Sequence, residues 1–433
     1  MRILLINYAY FKIGGPETYM FNVKALLESH GHTVIPFSLK FAKNEPCEYS
    51  DYFADSPAGP DTFFYDEMKK GPALVARMLG RQFYSPHVYK KLQRLIRDTK
   101  PDVAYVLHFL KRMSPSVIDA CAAEGVPVVV RLSDFGLICA NSIFFRDGKV
   151  CQLCEKNQFY GLKYRCAKGS LFASAVRYLA HRFHESRGVF KKIDTLVCPS
   201  KFMSEVFRRN PHFQASKAEH LPTFIDATPL SLLAQQTYED RIKMPLVVYL
   251  GRLDYDKGVD LLIDAAIELR RRGMSVVFKL IGKSSDPQYE ADLRARINNE
   301  QLSNVEITGF MGKELLFKTI QSALVSATPS RWIDNMPNSL IESQALGLPV
   351  VASNFGSFPE LITAGINGAL FEPENPLDLA EKIYQVISNR DQWVGMHEQA
   401  QQWVRSYCSP QLHYDRLINI FSSTIDRNKN YVD

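Results

Sequence analysis

Residues 329–347, PSRWIDNMPNSLIESQALG, place two carboxylates, Asp334 and Glu342, on either side of a polar run through Asn335, Met336, Pro337, Asn338 and Ser339. Proline suits a first helical turn, where its missing N–H is no loss, so Pro337 predicts a helix start capped by Asn335 or Met336. The helix should run through Leu340, Ile341, Ala345 and Leu346 and stop at Gly347. Its first amides, near Asn338 to Ile341, would then form an anion site. Glu342, one turn in, can accept hydrogen bonds from vicinal hydroxyls such as those of a ribose, and Asp334 can do the same for a second polyol.

A second stretch, YLGRLDYDKGVD, sets Arg252 and Lys257 around a short loop that follows a strand and opens a helix. Two cations there can converge on one phosphate at the carboxyl end of a sheet, the alternative being solvated surface charge. An anion cradle with a hydroxyl acceptor on each side suits a nucleotide joined to a sugar through a diphosphate. Near the N-terminus, INYAYFKIGGPETY sets Gly14 and Gly15 between a strand and a helix from Pro16. A glycine pair allows close backbone approach to a ligand, and it equally makes a plain tight turn; its spacing is not the GxGxxG fingerprint.

These groups need rigid sheets to hold them. Strand-length apolar runs alternate with helical periodicity throughout, the pattern of parallel sheets covered by helices. RILLINY, HTVIPFS, DVAYVL, VPVVVRL and DTLVCPS predict the first sheet, with helices near 16–30, 86–99, 115–124, 171–192 and 200–209. PLVVYLG, SVVFKLIG, NVEITGF, ALVSATPS, LPVVAS and GALFEP restart the pattern. The expectation is an α/β chain with two Rossmann-like domains: residues 1–224, with irregular insertions over 40–85 and a Cys-rich one over about 135–170; residues 225–408; and a C-terminal segment 409–433. The stretch TFIDATPLSLLAQQTYEDRIKMP between the two patterns lacks clean periodicity and reads as a linker.

At 433 residues the chain exceeds one ordinary core. It contains no uninterrupted apolar run of membrane-spanning length and no cleavable leader, so a cytoplasmic location is expected. The net charge of +6 is uneven: residues 1–225 carry 32 Lys and Arg against 20 Asp and Glu, the remainder 20 against 26. A basic half suits phosphate or the face of an anionic membrane, or is simply a solvated surface; no nucleic-acid partner is expected.

The order of GGPETY, GRLDYDKGVD, PSRWIDNMPNSLIESQALGLPVVAS and SFPELITAGINGALFEP resembles the family-4 retaining glycosyltransferases, whose GT-B fold faces two Rossmann-like domains across a cleft. The resemblance implies that Arg252 and Lys257 hold the donor diphosphate, that Gly15 approaches the donor phosphate, and that Glu342 binds the ribose. Asp334 falls where the family usually has a glutamate contacting the transferred sugar. Amides of Asn335 and Met336 would face the sugar, those near Ser339 and Leu340 the phosphates, and Gly309 with Phe310 would line the base pocket. Many relatives carry His then Asp after the fourth strand, where this chain has Ser133 and Asp134; His108, at the tip of the preceding strand, either substitutes or is packed structurally.

The implied donor is a UDP- or GDP-sugar and the acceptor a glycan or lipid-linked glycan, with no catalytic metal. Domain closure would exclude water, and a helix near 410–428 would cross back onto the first domain. A catalytically silent nucleotide-sugar-binding subunit, a sugar-nucleotide epimerase and a phosphorylase are the rival readings, although no lysine context for a pyridoxal Schiff base stands out.

Cys139, Cys151, Cys154 and Cys166 are spaced as a four-thiolate structural zinc site would be, with unrelated thiols or a redox pair as alternatives. The helix that follows carries Phe172, Val176, Leu179, Phe183 and Phe190 on one stripe. Packing of that stripe on the sheet is expected ahead of membrane contact.

Overall fold

The computed structural model describes residues 1–63, 71–227 and 237–429. Parts of the expected insertion (64–70), linker (228–236) and C-terminus (430–433) lie outside them. The chain divides into two units. The first comprises residues 1–143 and 152–221 with the chain from Tyr414 onward; the second comprises 144–151 and 222–413.

In the first unit, β1 (Arg2–Ile6), β2 (Thr33–Phe37), β3 (Val103–Val106), β4 (Val128–Arg131), β5 (Thr195–Cys198) and β6 (Lys217–His220) form one parallel sheet in the order β6-β5-β4-β3-β1-β2. All four residues of β3, β4 and β5 are buried, as expected of strands with helices on both faces. The flanking helices are α1 (Gly15–Ser29), α2 (Pro72–Phe83), α3 (Pro86–Thr99), α4 (Ser116–Ala123), α5 (Leu171–Ser186) and α6 (Lys201–Arg209).

The second unit holds β7 (Leu246–Leu250), β8 (Val277–Ile281), β9 (Val305–Gly309), β10 (Val325–Thr328), β11 (Val350–Ser353) and β12 (Gly368–Phe371), paired in parallel as β9-β8-β7-β10-β11-β12. That order reverses beside β7, and such a reversal opens a crevice at the carboxyl ends of the strands. Its main helices are α7 (Val259–Arg271), α8 (Pro287–Asn299), α9 (Lys313–Ser322), α10 (Asn338–Ala345), α11 (Pro376–Ser388) and α12 (Arg390–Tyr407). The period of two along β7 divides the core. Val247 and Tyr249 join one apolar cluster with Phe278, Val325 and Trp393, while Leu246 and Val248 join another with Leu340, Val350 and Val404.

The last helix, α13 (Pro410–Lys429), packs on the first unit. Thr424 bonds Thr195 at 2.8 Å, Arg427 donates to the same hydroxyl at 2.7 Å, and the Tyr105 and Phe421 rings meet edge to face.

Three expectations are corrected. Residues 40–85 are not wholly irregular, because α2 lies there, and its exposed or half-exposed apolar residues pack against α5 rather than entering the core. Strand β6, KAEH, was hidden by its polar composition, which an edge strand tolerates. The expected helix 171–192 ends at Ser186; Gly188, at φ +64°, turns the chain into a short 3₁₀ segment, Val189–Lys192. The apolar stripe is split as a result. Phe190 is buried, whereas Phe172 and Leu179 are 64% and 55% exposed, so packing on the sheet does not account for them. Within 135–170 the chain makes a hairpin, Phe145–Arg146 with Lys149–Val150, and two short helices, Leu153–Lys156 and Phe159–Lys163.

Candidate active site

Both motifs of the second unit fall at the carboxyl ends of adjacent central strands, β7 and β10. After β7 the chain turns through Gly251 into a loop that closes as a 3₁₀ turn, where Lys257 N donates to Asp254 O at 2.9 Å. Gly258 then adopts φ +68°, and a Cβ there would lie 1.9 Å from the Pro329 carbonyl oxygen. Only glycine permits that approach, which brings 252–258 alongside 329–334. Arg331 N donates to Asp256 O at 2.9 Å and seals the two segments together.

Arg331 was not singled out in the sequence, yet it is the clamp of this region. It is buried, forks onto Asp260 at 2.5 and 2.7 Å and onto Glu374 at 2.8 and 2.9 Å, donates to Tyr255 O at 3.1 Å, and lies over the Tyr255 ring. Burial opposes its charge, but these carboxylates raise its pKa above the ordinary arginine value. Tyr289 completes the shell, donating to Asp260 at 2.8 Å. The only signal was position: an arginine directly after the strand end in ATPSRW.

On this frame stand the groups that the sequence did indicate. Lys257 Nζ meets Asp334 Oδ2 at 2.5 Å and sits 4.5 Å from the centre of the Trp332 ring. Arg252 is paired with Asp254 and reaches Asp256 at 3.4 Å. Asp254 is fixed in turn by Ser284 and Ser285, whose hydroxyls and Ser285 amide donate to it at 2.7–3.0 Å. Burial raises the pKa of Asp256, against the pull of Arg252 and Lys257. Both cations are therefore held by carboxylates on the loop and on the opposing turn, in a place where an anion would compete for them.

The helix beyond differs in detail from expectation. Pro337 is itself the cap residue, in extended geometry, and α10 begins at Asn338. The amides of Leu340 and Ile341 already donate to Pro337 O, at 3.1 and 3.4 Å. Asn338 and Ser339 are thus the first-turn residues whose amides have no intrahelical acceptor, and Leu340 is buried. The helix does end at Gly347, φ +77°, where a Cβ would strike the His397 ring. Glu342 is half-buried on α10, Asn335 is buried before it, and the Met336 sulfur accepts the Thr223 amide at 3.1 Å. At the end of β9, Gly309 takes φ +74° and presents Phe310 at 79% exposure, an open aromatic face.

The first unit has a polar cavity of about 250 Å³ lined by Tyr8, His108, Lys111, Arg112, Arg131, Ser133 and Asp134 among others. It brings together three candidates of that half, His108, Ser133 and Asp134, but not Gly14 or Gly15. Arg131 donates to Ser133 Oγ at 3.1 Å and stacks 3.7 Å from the Tyr19 ring centre; Asp134 accepts the Gly136 amide at 2.7 Å. His108 stacks on Tyr8, and its buried Nε2 has no hydrogen-bond partner among the described residues. Burial lowers the His108 pKa, opposed by Asp134 and Glu17, so the ring is neutral at pH 7. Burial likewise lowers Lys111.

Glu17, in the first turn of α1, is buried with Oε1 unpartnered. Sequence reasoning passed over it inside GGPETY, although a carboxylate following two glycines was a usable signal. Gly14 is the exposed cap of α1 and Gly15 its first residue. In the insertion, the Cys139 and Cys154 thiols are hydrogen-bonded to each other and Cys166 lies near them, while Cys151 is on the hairpin grouped with the second unit.

Two units, each a parallel sheet covered by helices, give the chain the GT-B architecture. Solved structures share the fold along the full chain. Sucrose-phosphate synthase from Thermosynechococcus elongatus superimposes with a TM-score of 0.68 at 17% identity, covering 98% of this chain and 99% of that one. Anabaena HepE in complex with UDP and glucose gives 0.62 at 18% identity, covering 97% and 99%.

The particular family follows from the sequence profiles: Glycosyl transferases group 1 matches residues 236–403 and Glycosyltransferase Family 4 matches residues 13–228. The chain belongs to the group 1, family 4 glycosyltransferases. Among curated relatives, alpha-D-kanosaminyltransferase of Streptomyces kanamyceticus is 30% identical over 157 residues, 36% of this chain and 40% of that protein. The chain spans about a third to a little over half the length of the curated relatives it matches. Among the described residues no helix is long and apolar enough to cross a membrane.

Proposed function

We propose that the protein transfers a hexose, with retention, from a UDP- or GDP-sugar held on the second unit to a hydroxyl of a glycan or lipid-linked glycan held on the first. The observation that carries this reading is the Lys257–Asp334 contact, which joins the cation loop to the turn opening α10. A donor diphosphate fits there: Arg252 and Lys257 turn from their carboxylates to phosphate oxygens, and the amides of Asn338 and Ser339 meet the same anion. Asp334 and the Asn335 and Met336 backbone face the sugar, Glu342 the ribose, and Phe310 with Gly309 the base. The UDP-glucose complex of HepE supports a nucleotide-sugar donor by analogy of fold.

Departure of the nucleotide leaves an oxocarbenium-like sugar and a diphosphate. Two cations and fixed helix amides stabilise that developing charge, which is the largest task in the reaction. The acceptor hydroxyl attacks from the face of departure and its proton passes to the leaving phosphate. His108, Ser133 and Asp134 line the acceptor side, with neutral His108 able to bond a sugar hydroxyl.

An apolar cavity of about 670 Å³ supports an acceptor with a lipid portion. Leu74, Val75 and Met78 of α2 line it with Phe172 and Val176 of α5, and Lys111, Lys168 and Arg177 bring charge to its wall. Lys111 also lines the polar cavity, so one cation borders both. Peripheral contact with an anionic membrane follows from the same exposed apolar residues on a basic unit.

The test is a screen of UDP- and GDP-sugars for thermal stabilisation of the purified chain, followed by donor turnover and the anomeric configuration of the product, with Arg252→Ala as control. Turnover that needs Arg252 and retains configuration supports the reading. Donor binding without turnover replaces it with the silent subunit, and an inverted product removes retention.

A further inference from the structure

We infer that His181, Glu185 and His212 form a binding site for a divalent transition-metal ion of the zinc class, apart from both cavities' sugar chemistry and independent of the reading above. His181 and Glu185 stand one turn apart on α5 and therefore share a face. His212 comes from a short 3₁₀ turn, Pro211–Phe213, held in place by Asn210, whose side-chain oxygen accepts the His212 amide at 3.1 Å. One potential ligand atom from each residue lies within 4.8 Å of the other two; among the described residues, this is the group of His, Cys, Asp or Glu side chains so gathered.

The spacing suits a metal. Ligands at about 2.0–2.1 Å around a tetrahedral zinc are separated by roughly 3.4 Å, and His212 Nδ1 to Glu185 Oε1 is already 3.3 Å. An ion pair between those two residues accounts for that contact alone. It leaves the third ligand unexplained: His181 is 9% exposed, packed against Phe190 and His212, and its buried Nε2 has no hydrogen-bond partner among the described residues. A buried nitrogen without a partner is costly, and a bound ion that orders the ring removes part of that cost.

The surroundings select the class of ion. Arg182 Nη1 bonds Glu185 Oε2 at 2.6 Å, which leaves Oε1 facing the site and fixes the carboxylate as an outer partner of a metal ligand does. With Arg177 and Arg182 both near His181, the site lacks the negative charge and oxygen donors that magnesium or calcium needs. Two imidazoles and one carboxylate oxygen suit zinc, nickel, copper or cobalt, with water in the remaining position. Bound there, the ion ties α5, one wall of the apolar cavity, to the turn that leads into β6.

The test uses the full chain stripped with a chelator and titrated with Zn²⁺ and, for spectroscopy, Co²⁺. The expected result is one tight site whose Co²⁺ spectrum shows ligand-field bands without thiolate charge transfer. Glu185→Gln and His212→Gln should each weaken Zn²⁺ binding at least about tenfold, while their melting temperatures in chelator stay at the wild-type value. Unchanged affinity in both variants overturns the proposal. So does a thiolate-to-cobalt band that persists in them, which would move the ion to Cys139, Cys154 and Cys166, and so does the absence of stoichiometric binding by the wild type.

Discussion

Asp334→Asn is the sharpest perturbation of the proposed donor site, because it separates two jobs that one carboxylate would do. Asp334 holds Lys257 at 2.5 Å, with the two side chains only 13% and 16% exposed. Opposite charges about 4 Å apart attract by about 4 kcal/mol in surroundings of this kind. A diphosphate that recruits Lys257 must compete with that attraction and recovers most of it through its own charge. Removing the carboxylate charge while keeping the amide's size should therefore strengthen binding of a free nucleoside diphosphate by about 1–2 kcal/mol, five- to thirtyfold in Kd. The same change removes the proposed sugar contact, so turnover should fall by about a hundredfold or more. Calorimetric titration with UDP and GDP, beside an assay of sugar release and transfer, reads both effects. If nucleotide affinity is unchanged or weaker in Asp334→Asn, Lys257 is a structural partner of Asp334 and not a phosphate ligand, and the donor site as drawn is wrong.

Arg331→Met should cost about 3–5 kcal/mol of stability, since it strands Asp260 and Glu374 without their shared cation; a urea midpoint within error of wild type would remove Arg331 from its role as clamp. Gly347→Ala should destabilise by more than about 1 kcal/mol, from left-handed backbone and contact with the His397 ring, and a neutral result would show that α12 shifts freely there. Burial, with Arg241 nearby, lowers His397 to about 4. The unfolded chain thus takes up this proton first, and stability is full above pH 6.5 and falls towards pH 4 by up to about 1.4 kcal/mol per pH unit. Urea unfolding at pH 7, 6 and 5 should show a shallower loss in His397→Gln than in wild type, and equal slopes would refute the assignment. Phe172→Glu, at a largely exposed position on the apolar cavity, should leave the melting temperature nearly unchanged and weaken binding of medium-chain alkyl phosphates at least about tenfold; equal binding would empty that cavity of its proposed role.

What the sequence made legible follows from how each feature stores its information. Strands of the second unit such as LVVYL and VVAS were readable because they are buried on both faces and so appear as nearly continuous apolar runs. The start of α10 was readable to within a residue or two because proline and glycine punctuate it, although proline took the cap position rather than the first turn. Features whose meaning depends on a distant partner were not readable. KAEH gives no strand signal, because an edge strand pairs with one neighbour only and tolerates polar residues that are exposed, as Lys217 is, or half-buried, as Glu219 and His220 are. Arg331 looks like any surface arginine until Asp260 and Glu374, 71 and 43 positions away, close around it. The same holds for His181: the i, i+4 spacing to Glu185 is visible in AHRFHES, but His212 arrives through the fold.

This dependence also explains why the candidate groups of the second unit were more legible than those of the first. The proposed donor groups lie on two strand-to-helix turns, where glycine and proline advertise the backbone geometry and the ligand meets amides that any side chain would leave in place. The cavity of the first unit is instead assembled from side chains at the ends of β1, β3 and β4 and in the loops that follow them, where Lys111 and Arg131 carry charge that only packing brings to His108. A site built from side chains can change its chemistry by single substitutions without altering the strands beneath it. Ser133 is one such side chain, and Arg131 donates to its hydroxyl at 3.1 Å. Ser133→His should therefore displace the Arg131 contact, and a changed preference among acceptor glycans in that variant, with UDP or GDP affinity unaltered, would locate acceptor selection in this cavity, whereas an unchanged preference would refute it.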